Sequence, residues 1–309
     1  MFDPRWDDDP RDREEGSRDL SRGSRGGGSD PRERDRPDPR DVFVEHVDLP
    51  RGHEREHVHH HGHDYTLRGS ESRTLSSVGA FRVIPASELR DTFDKPLDPR
   101  HGELWHLREA GLVQTVRIDR DHTVVTLTRE GRNLLESRRW DREPDAPDRD
   151  RQAFHDGIQR PRELKHDAEL YRAYLEEAER LHEAGADIYR VVLENDLKAE
   201  YQEFLQERNR DRDDSDGRPD RTIDEIRLWA EEHHLPCDDQ GHVMFPDARI
   251  EYELDGLDRT LDVEVMTVHY RGAHASSKAR SGFSLSFSGR SGGRGGGRSG
   301  AGLAEELVP

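Results

Sequence analysis

The sequence predicts an α+β protein made of two small folded units, joined by a linker and set between solvated ends. Three observations lead there. Apolar residues make up 30% of the 309-residue chain and charged residues 38%, against roughly 45–50% (Gly included) and about 25% in ordinary globular proteins. With a mean hydropathy of −1.12, one long core is excluded, and about 150 residues per domain leaves room for two modest ones. Helix- and strand-like periodicity is confined to about 66–140 and 163–283. The stretches 1–65, 141–162 and 284–309, rich in Asp, Arg, Pro and Gly, read as disorder, linker and flexible tail.

The single cysteine, Cys237, excludes an internal disulfide and a cysteine-based zinc finger. No run approaches 18 apolar residues, so no membrane association through a spanning helix is expected. The opening Met-Phe-Asp-Pro-Arg-Trp has no apolar signal core, and a cytoplasmic location is the expectation. The net charge of −19 is unevenly placed. Residues 163–283 carry 16 basic against 31 acidic side chains, whereas 66–140 carry 13 against 11. A nucleic-acid surface is therefore sought first in 66–140.

Ser70–Phe81 places Leu75, Val78 and Phe81 at helical spacing. Pro85 at a first helical turn, with Leu89 and Phe93 four apart on an inner face, predicts a second helix before Pro96 and Pro99. Arg100–Ala110 predicts a third, with Leu104 and Leu107 inward and Gly111 as its stop. Leu112–Ile118 and Thr123–Leu127 read as strands around the polar turn Asp119-Arg-Asp-His122, and Thr128-Arg-Glu-Gly opens a last helix.

This order, with the phrases Leu107-Arg-Glu-Ala-Gly-Leu-Val113 and Leu127-Thr-Arg-Glu-Gly-Arg-Asn-Leu-Leu135, resembles the winged helix-turn-helix domain of bacterial regulators. The resemblance implies double-stranded DNA as partner, with the third helix in the major groove and the wing on the flanking backbone. If Leu104 and Leu107 face the core, then His101, Trp105 and Arg108 share the outer face. Arg100 and Arg108 would reach phosphates or guanine edges. Arg117, Arg120 and His122, in or beside the wing turn, suit phosphate contact. The alternative is a protein-interaction module on the same fold, with each Arg paired to a nearby acid.

In the second unit, Leu164–Ala184 reads as an amphipathic helix ended by Gly185, and Asp187–Leu193 as a strand. Helices at Ala199–Arg210 and Ile223–His233 follow, then strands Ala248–Leu254 and Thr260–Thr267 joined through Asp255-Gly256, a hairpin signal. About 273–283 is expected to begin as helix. Pro246-Asp247 stands at the mouth of one strand, and on the next Asp262, Glu264 and Met266 share a face.

An Asp at a strand start facing an acid on the neighbouring strand resembles the PD-(D/E)XK nuclease fold. The resemblance implies Mg²⁺ held by Asp247 and Glu264, or by Asp262 as the second acid, and a Lys two residues later supporting the attacking water. Met266 or Glu264 stands at that position here, which argues against cleavage. Lys198, in Asp196-Leu-Lys198, and Lys278, in His274-Ala-Ser-Ser-Lys278, are the candidate displaced lysines. The plainer alternative makes Glu251, Glu253, Asp262 and Glu264 the wet face of a half-exposed hairpin.

The order of parts, the run Arg73-Thr-Leu-Ser-Ser-Val-Gly79 and the Pro-Asp…Glu hairpin are similar to the replication-relaxation family of bacterial plasmids and integrated elements, over about 70–283. That similarity implies DNA binding in replication or mobilisation, with a nuclease-like domain expected to be inactive. The alternatives are a Mg²⁺-dependent endonuclease and a scaffold whose acidic half binds a protein partner. Six histidines between His53 and His63 suit Zn²⁺ or Ni²⁺, and read equally as compositional.

Overall fold

The chain enters the fold earlier than its composition suggests. The computed structural model describes residues 38–120, 122–139, 151–209, 221–266 and 283–287. Within them Val42–His46 is a 3₁₀ turn that buries Val42, Phe43 and Val44. Strands β1 (Glu56–His60) and β2 (His63–Leu67) pair antiparallel across His61-Gly62, both with positive φ, 46° and 82°, the backbone of a tight two-residue hairpin. Val58, His60, Tyr65 and Leu67 are its buried side chains. A disordered 1–65 is thus corrected from residue 38 onward. The reason is strand alternation that is concealed when His is counted as polar: His60 is buried and bonds Ser137 Oγ through Nδ1 at 3.0 Å.

Helix α1 (Gly69–Phe81) follows the expected span. Gly79 lies inside it because the core is tight there. A Cβ at that position would stand 2.8 Å from Phe154 Cδ1 and 2.9 Å from Leu135 Cδ1. The helix expected from Pro85 does not form. Instead β3 (Ile84–Pro85) pairs with Val124 and Val125, and one 3₁₀ turn, Ala86–Glu88, buries Leu89 but leaves Phe93 77% exposed. The Asp91 carboxylate turns the chain there by accepting the Phe93 and Lys95 N–H groups at 2.8 and 2.9 Å, a local bond that competes with helix.

Helix α2 (Gly102–Glu109) then buries Leu104 and Leu107. Strands β4 (Val113–Arg117) and β5 (Thr123–Leu127) form the expected hairpin, and the sheet order is β3-β5-β4. Thr128 Oγ1 caps α3 (Arg129–Ser137) by accepting the Gly131 N–H at 3.1 Å.

The second half is a four-stranded sheet with helices on both faces. Strands β6 (Asp187–Leu193), β7 (Ala248–Leu254) and β8 (Leu257–Met266) form an antiparallel meander, and β9 (Ser284–Phe287) lies parallel to β8. Strand β9 falls inside the expected flexible tail, which is corrected at that point. The expected helix after residue 272 lies outside the described residues. Helix α4 (Leu164–Glu183) packs Tyr171, Tyr174 and Ala178 on the Val191, Ile250 and Val263 face. Helices α5 (Glu194–Gln206) and α6 (Ile223–Glu232) bring Leu197, Trp229 and Ala230 to the Val192 face.

One buried core joins the two halves. Phe81 of α1 meets Tyr174 and Tyr171 of α4 at ring-centroid distances of 4.9 and 5.0 Å, and Phe43 meets Phe81 at 5.5 Å. Each such side chain stabilises by about 1.5–3 kcal/mol through burial. The stretch 151–162, expected as solvated linker, takes part: Phe154 is buried, and the Gln152 side-chain amide pairs with both backbone groups of Val191 at 2.9 and 3.0 Å. Gln152 therefore blunts the edge of β6 by supplying the bonds a further strand would make.

Candidate functional site

Two surfaces carry the candidate residues. On α2, burial of Leu104 and Leu107 fixes which face turns outward: Trp105 is 43% exposed, His101 is exposed and Arg108 is half-buried. Arg108 is already engaged, donating from Nη1 to Pro99 O at 3.1 Å and pairing with Glu109 at 3.3 Å. His101 faces Asp98 at 3.3 Å, and His122 faces Asp119 at 2.7 Å in the turn between β4 and β5. Arg100, Arg117 and Arg120 are exposed and make no ion pair among the described residues.

A network that sequence reasoning missed holds α2 in place. Glu71 of α1, wholly buried, takes a two-pronged bond from Arg55 at 2.6 and 3.1 Å and the Arg68 N–H at 3.1 Å, and His106 Nδ1 of α2 lies 2.9 Å from it. The Arg55 guanidinium and the Arg68 N–H, with three hydrogen bonds between them, offset the cost of burying that carboxylate. Nearby, Thr92 Oγ1 donates to Glu103 at 2.8 Å, tying the Phe93 loop to the first turn of α2.

The second surface is the cleft at Asp247. Asp247 is nearly buried, and its Oδ2 accepts the Val265 N–H at 2.8 Å and meets His166 Nε2 at 3.0 Å. His166 Nδ1 also lies 3.6 Å from Asp167. Burial alone would lower the His166 pKa, but the two carboxylates outweigh it and push it up to about 10. The ring is therefore an imidazolium at neutral pH. The sequence signal was present, a His-Asp pair in the first turn of α4, but its partner lies 81 residues away.

The remaining acids have different surroundings. Asp262 receives two bonds from Arg249, at 2.7 and 3.0 Å, and the same guanidinium donates to the carbonyls of His233 and His234 at the end of α6. Asp262 thus anchors α6 to the sheet. Glu251 is held by Arg190 at 2.7 and 2.8 Å, and Glu264 is wholly buried, so the wet-face alternative is corrected at these three positions; Glu253 is exposed. Lys198 Nζ lies 2.5 Å from Glu194, which lines the Asp247 cleft. Lys278 lies outside the described residues.

These residues do not fit a Mg²⁺ ion. A hydrated divalent cation asks for carboxylate oxygens open to it. Asp247 Oδ2 is taken by a cation and an N–H, Asp262 is neutralised by Arg249, and Glu264 is sealed from solvent. Among the described residues no three His, Cys, Asp or Glu side chains are grouped to hold a metal, the hairpin histidines included. No helix among them is long and apolar enough to cross a membrane. No family model, curated protein or solved structure matches the chain.

Proposed function

We propose that the chain binds duplex DNA through the outer face of α2 and the β4–β5 turn, and that its second half is a nuclease-like scaffold that does not cleave. The observation that carries this reading is the set of three exposed arginines, Arg100, Arg117 and Arg120, without ion-pair partners among the described residues, beside the solvent-facing Trp105. Unpaired surface arginines suit phosphates, which fix register on a duplex, while Trp105 and Arg108 lie where a groove-bound helix reads base edges. The sheet order β3-β5-β4, with α2 ahead of the hairpin, supports a winged helix. A helix, an antiparallel meander and a parallel fourth strand support the nuclease-like comparison for the second half.

The imidazolium of His166 against Asp247 favours a scaffold over a Mg²⁺-dependent endonuclease. A role in replication or mobilisation on a mobile element rests on the short motifs around Arg73 and Asp247. With an overall charge of −19, binding is expected to be local and steeply salt-dependent. The test is duplex binding by the full chain across a salt series. A 66–140 fragment is unsuitable, because Val83, Val124 and the partly buried Val116 pack against Leu164 and Ala168 of α4.

A further inference from the structure

The cleft beside Asp247 holds a cation that the DNA-binding reading does not use. Arg82 follows the last turn of α1, is only 8% exposed, and lines the cleft with Arg160, Glu163, His166, Glu194 and Asp247. A guanidinium does not shed its proton in a protein, so burying one without an anion is costly. Arg82 makes no ion pair among the described residues. Among the described residues its one polar side-chain contact runs from Nη2 to His155 Nδ1 at 3.5 Å, and its buried Nε has no hydrogen-bond partner. The Asp196 carboxylate lies on the far side of that ring, 3.1 Å from His155 Nε2. Burial draws the Arg82 pKa below its ordinary value, while Asp196 and Asp167 work against the shift.

The backbone carries a second mark. Arg82 has φ 65° and ψ −46°, and the Val83 N–H donates to Phe81 O at 2.7 Å. This is a γ-turn of the rare, strained hand. Glycine would adopt it freely, yet the position holds a long cationic side chain. Strain of this kind persists where the surroundings impose it, and such positions cluster at ligand clamps.

Of the carboxylates lining the cleft, Glu163, Glu194 and Asp247 each have a cation, and Asp167 shares His166 with Asp247. Glu163 pairs with Arg160 at 3.1 Å, Glu194 with Lys198 at 2.5 Å, and Asp247 with His166 at 3.0 Å. Gln159 and Asn195, bonded to one another at 3.3 Å, line the same cleft and add neutral amide donors. We propose that this cleft is a phosphate-binding site with Arg82 as its anchoring cation. A phosphate group offers several acceptor oxygens to the guanidinium fork. It arrives as the end of a nucleic-acid strand or as free phosphate. The site stands apart from the DNA-binding reading, because inorganic phosphate alone is sufficient to probe it.

The experiment follows the melting temperature of the full chain as inorganic phosphate replaces chloride at constant ionic strength. Wild type, Arg82→Gly and Arg82→Gln are compared. Phosphate is expected to raise the wild-type Tm with the logarithm of its concentration. Arg82→Gly is expected to melt above wild type in chloride, since it removes both strain and an unpaired charge, and neither variant responds to phosphate. A wild type that ignores phosphate, or variants that respond as wild type does, overturns the site. Should Arg82→Gly fold poorly, Arg82→Gln alone decides, because it keeps a polar N–H donor, on a shorter side chain, without the charge. Duplexes with 5′-phosphate and 5′-hydroxyl ends then separate the sources. A preference of about tenfold for the phosphorylated end, lost in both variants, assigns the site to strand ends; equal binding, with the Tm response intact, assigns it to free phosphate.

Discussion

His166 Nε2 lies 3.0 Å from Asp247 Oδ2, the same oxygen that accepts the Val265 N–H at 2.8 Å. One carboxylate oxygen thereby ties the first turn of α4 to the mouth of β7 and the end of β8. A protonated imidazole stands against the acid to which resemblance alone assigns a metal ion.

That pairing sets a pH dependence. The folded-state pKa of His166 is raised to about 10, above the ordinary value of about 6.5. The protonated ring therefore stabilises the fold fully below about pH 6.5, and this contribution is lost as pH rises from there through about 10. Its size is on the order of a few kcal/mol. Urea denaturation at pH 6, 8 and 10 should show wild type losing stability with pH and His166→Gln nearly flat. Parallel curves for the two proteins would contradict the pairing.

Divalent metal separates the same account from a Mg²⁺ site. Asp247→Asn should lose about 1–3 kcal/mol, because the Val265 N–H and the imidazolium keep a poorer acceptor. Mg²⁺ or Mn²⁺ should shift the melting temperatures of wild type and variant alike. A shift confined to wild type would restore the metal reading.

Asp262 is predicted to be structural. Asp262→Ala leaves Arg249, itself buried, without its anion, and breaking a buried pair from one side costs about 3–5 kcal/mol. Chemical denaturation should register that loss without any change in DNA affinity. A variant of unaltered stability would show the pair to be incidental.

The elements read most reliably from sequence are those whose pattern is local. In α1, α2, β4, β5 and α3 the apolar spacing of 3.6 or 2 lies within one segment, and the buried residues Leu75, Leu104, Leu107, Val125 and Leu135 follow it. Strand β9 was hidden because its partner β8 is reached only across a long parallel connection. The spacing of Leu89 and Phe93 predicts a helix face because it cannot show the Asp91 carboxylate bonding its own turn. Asp262, by contrast, had a readable partner. A two-residue Asp255-Gly256 turn places Arg249 directly opposite it in the ladder. His166, Arg82 and Glu71 depend on contacts between distant segments, which no single-sequence pattern displays.

Packing around α1 supplies a further check. Gly79→Ala should destabilise by about 1–3 kcal/mol through overpacking, since the new methyl meets Phe154 and Leu135 below 3.0 Å. In a Phe154→Leu background the same change should cost less, a coupling that a double-mutant cycle measures. Additive losses would mean that residues 151–162 do not seal this part of the core.

Full-chain affinity for a mixed-sequence duplex, followed between low and moderate salt, decides whether α2 and the β4–β5 turn bind duplex DNA. Wild type should bind at low salt, with log affinity falling linearly against log salt. Replacing Arg100, Arg117 and Arg120 together by Ala should weaken binding and reduce that slope by about 2–3, close to 0.9 per lost phosphate contact. The unfolding curve should stay nearly unchanged, because all three side chains are exposed. No salt-dependent binding by wild type, or the same slope in the triple variant, would contradict the account.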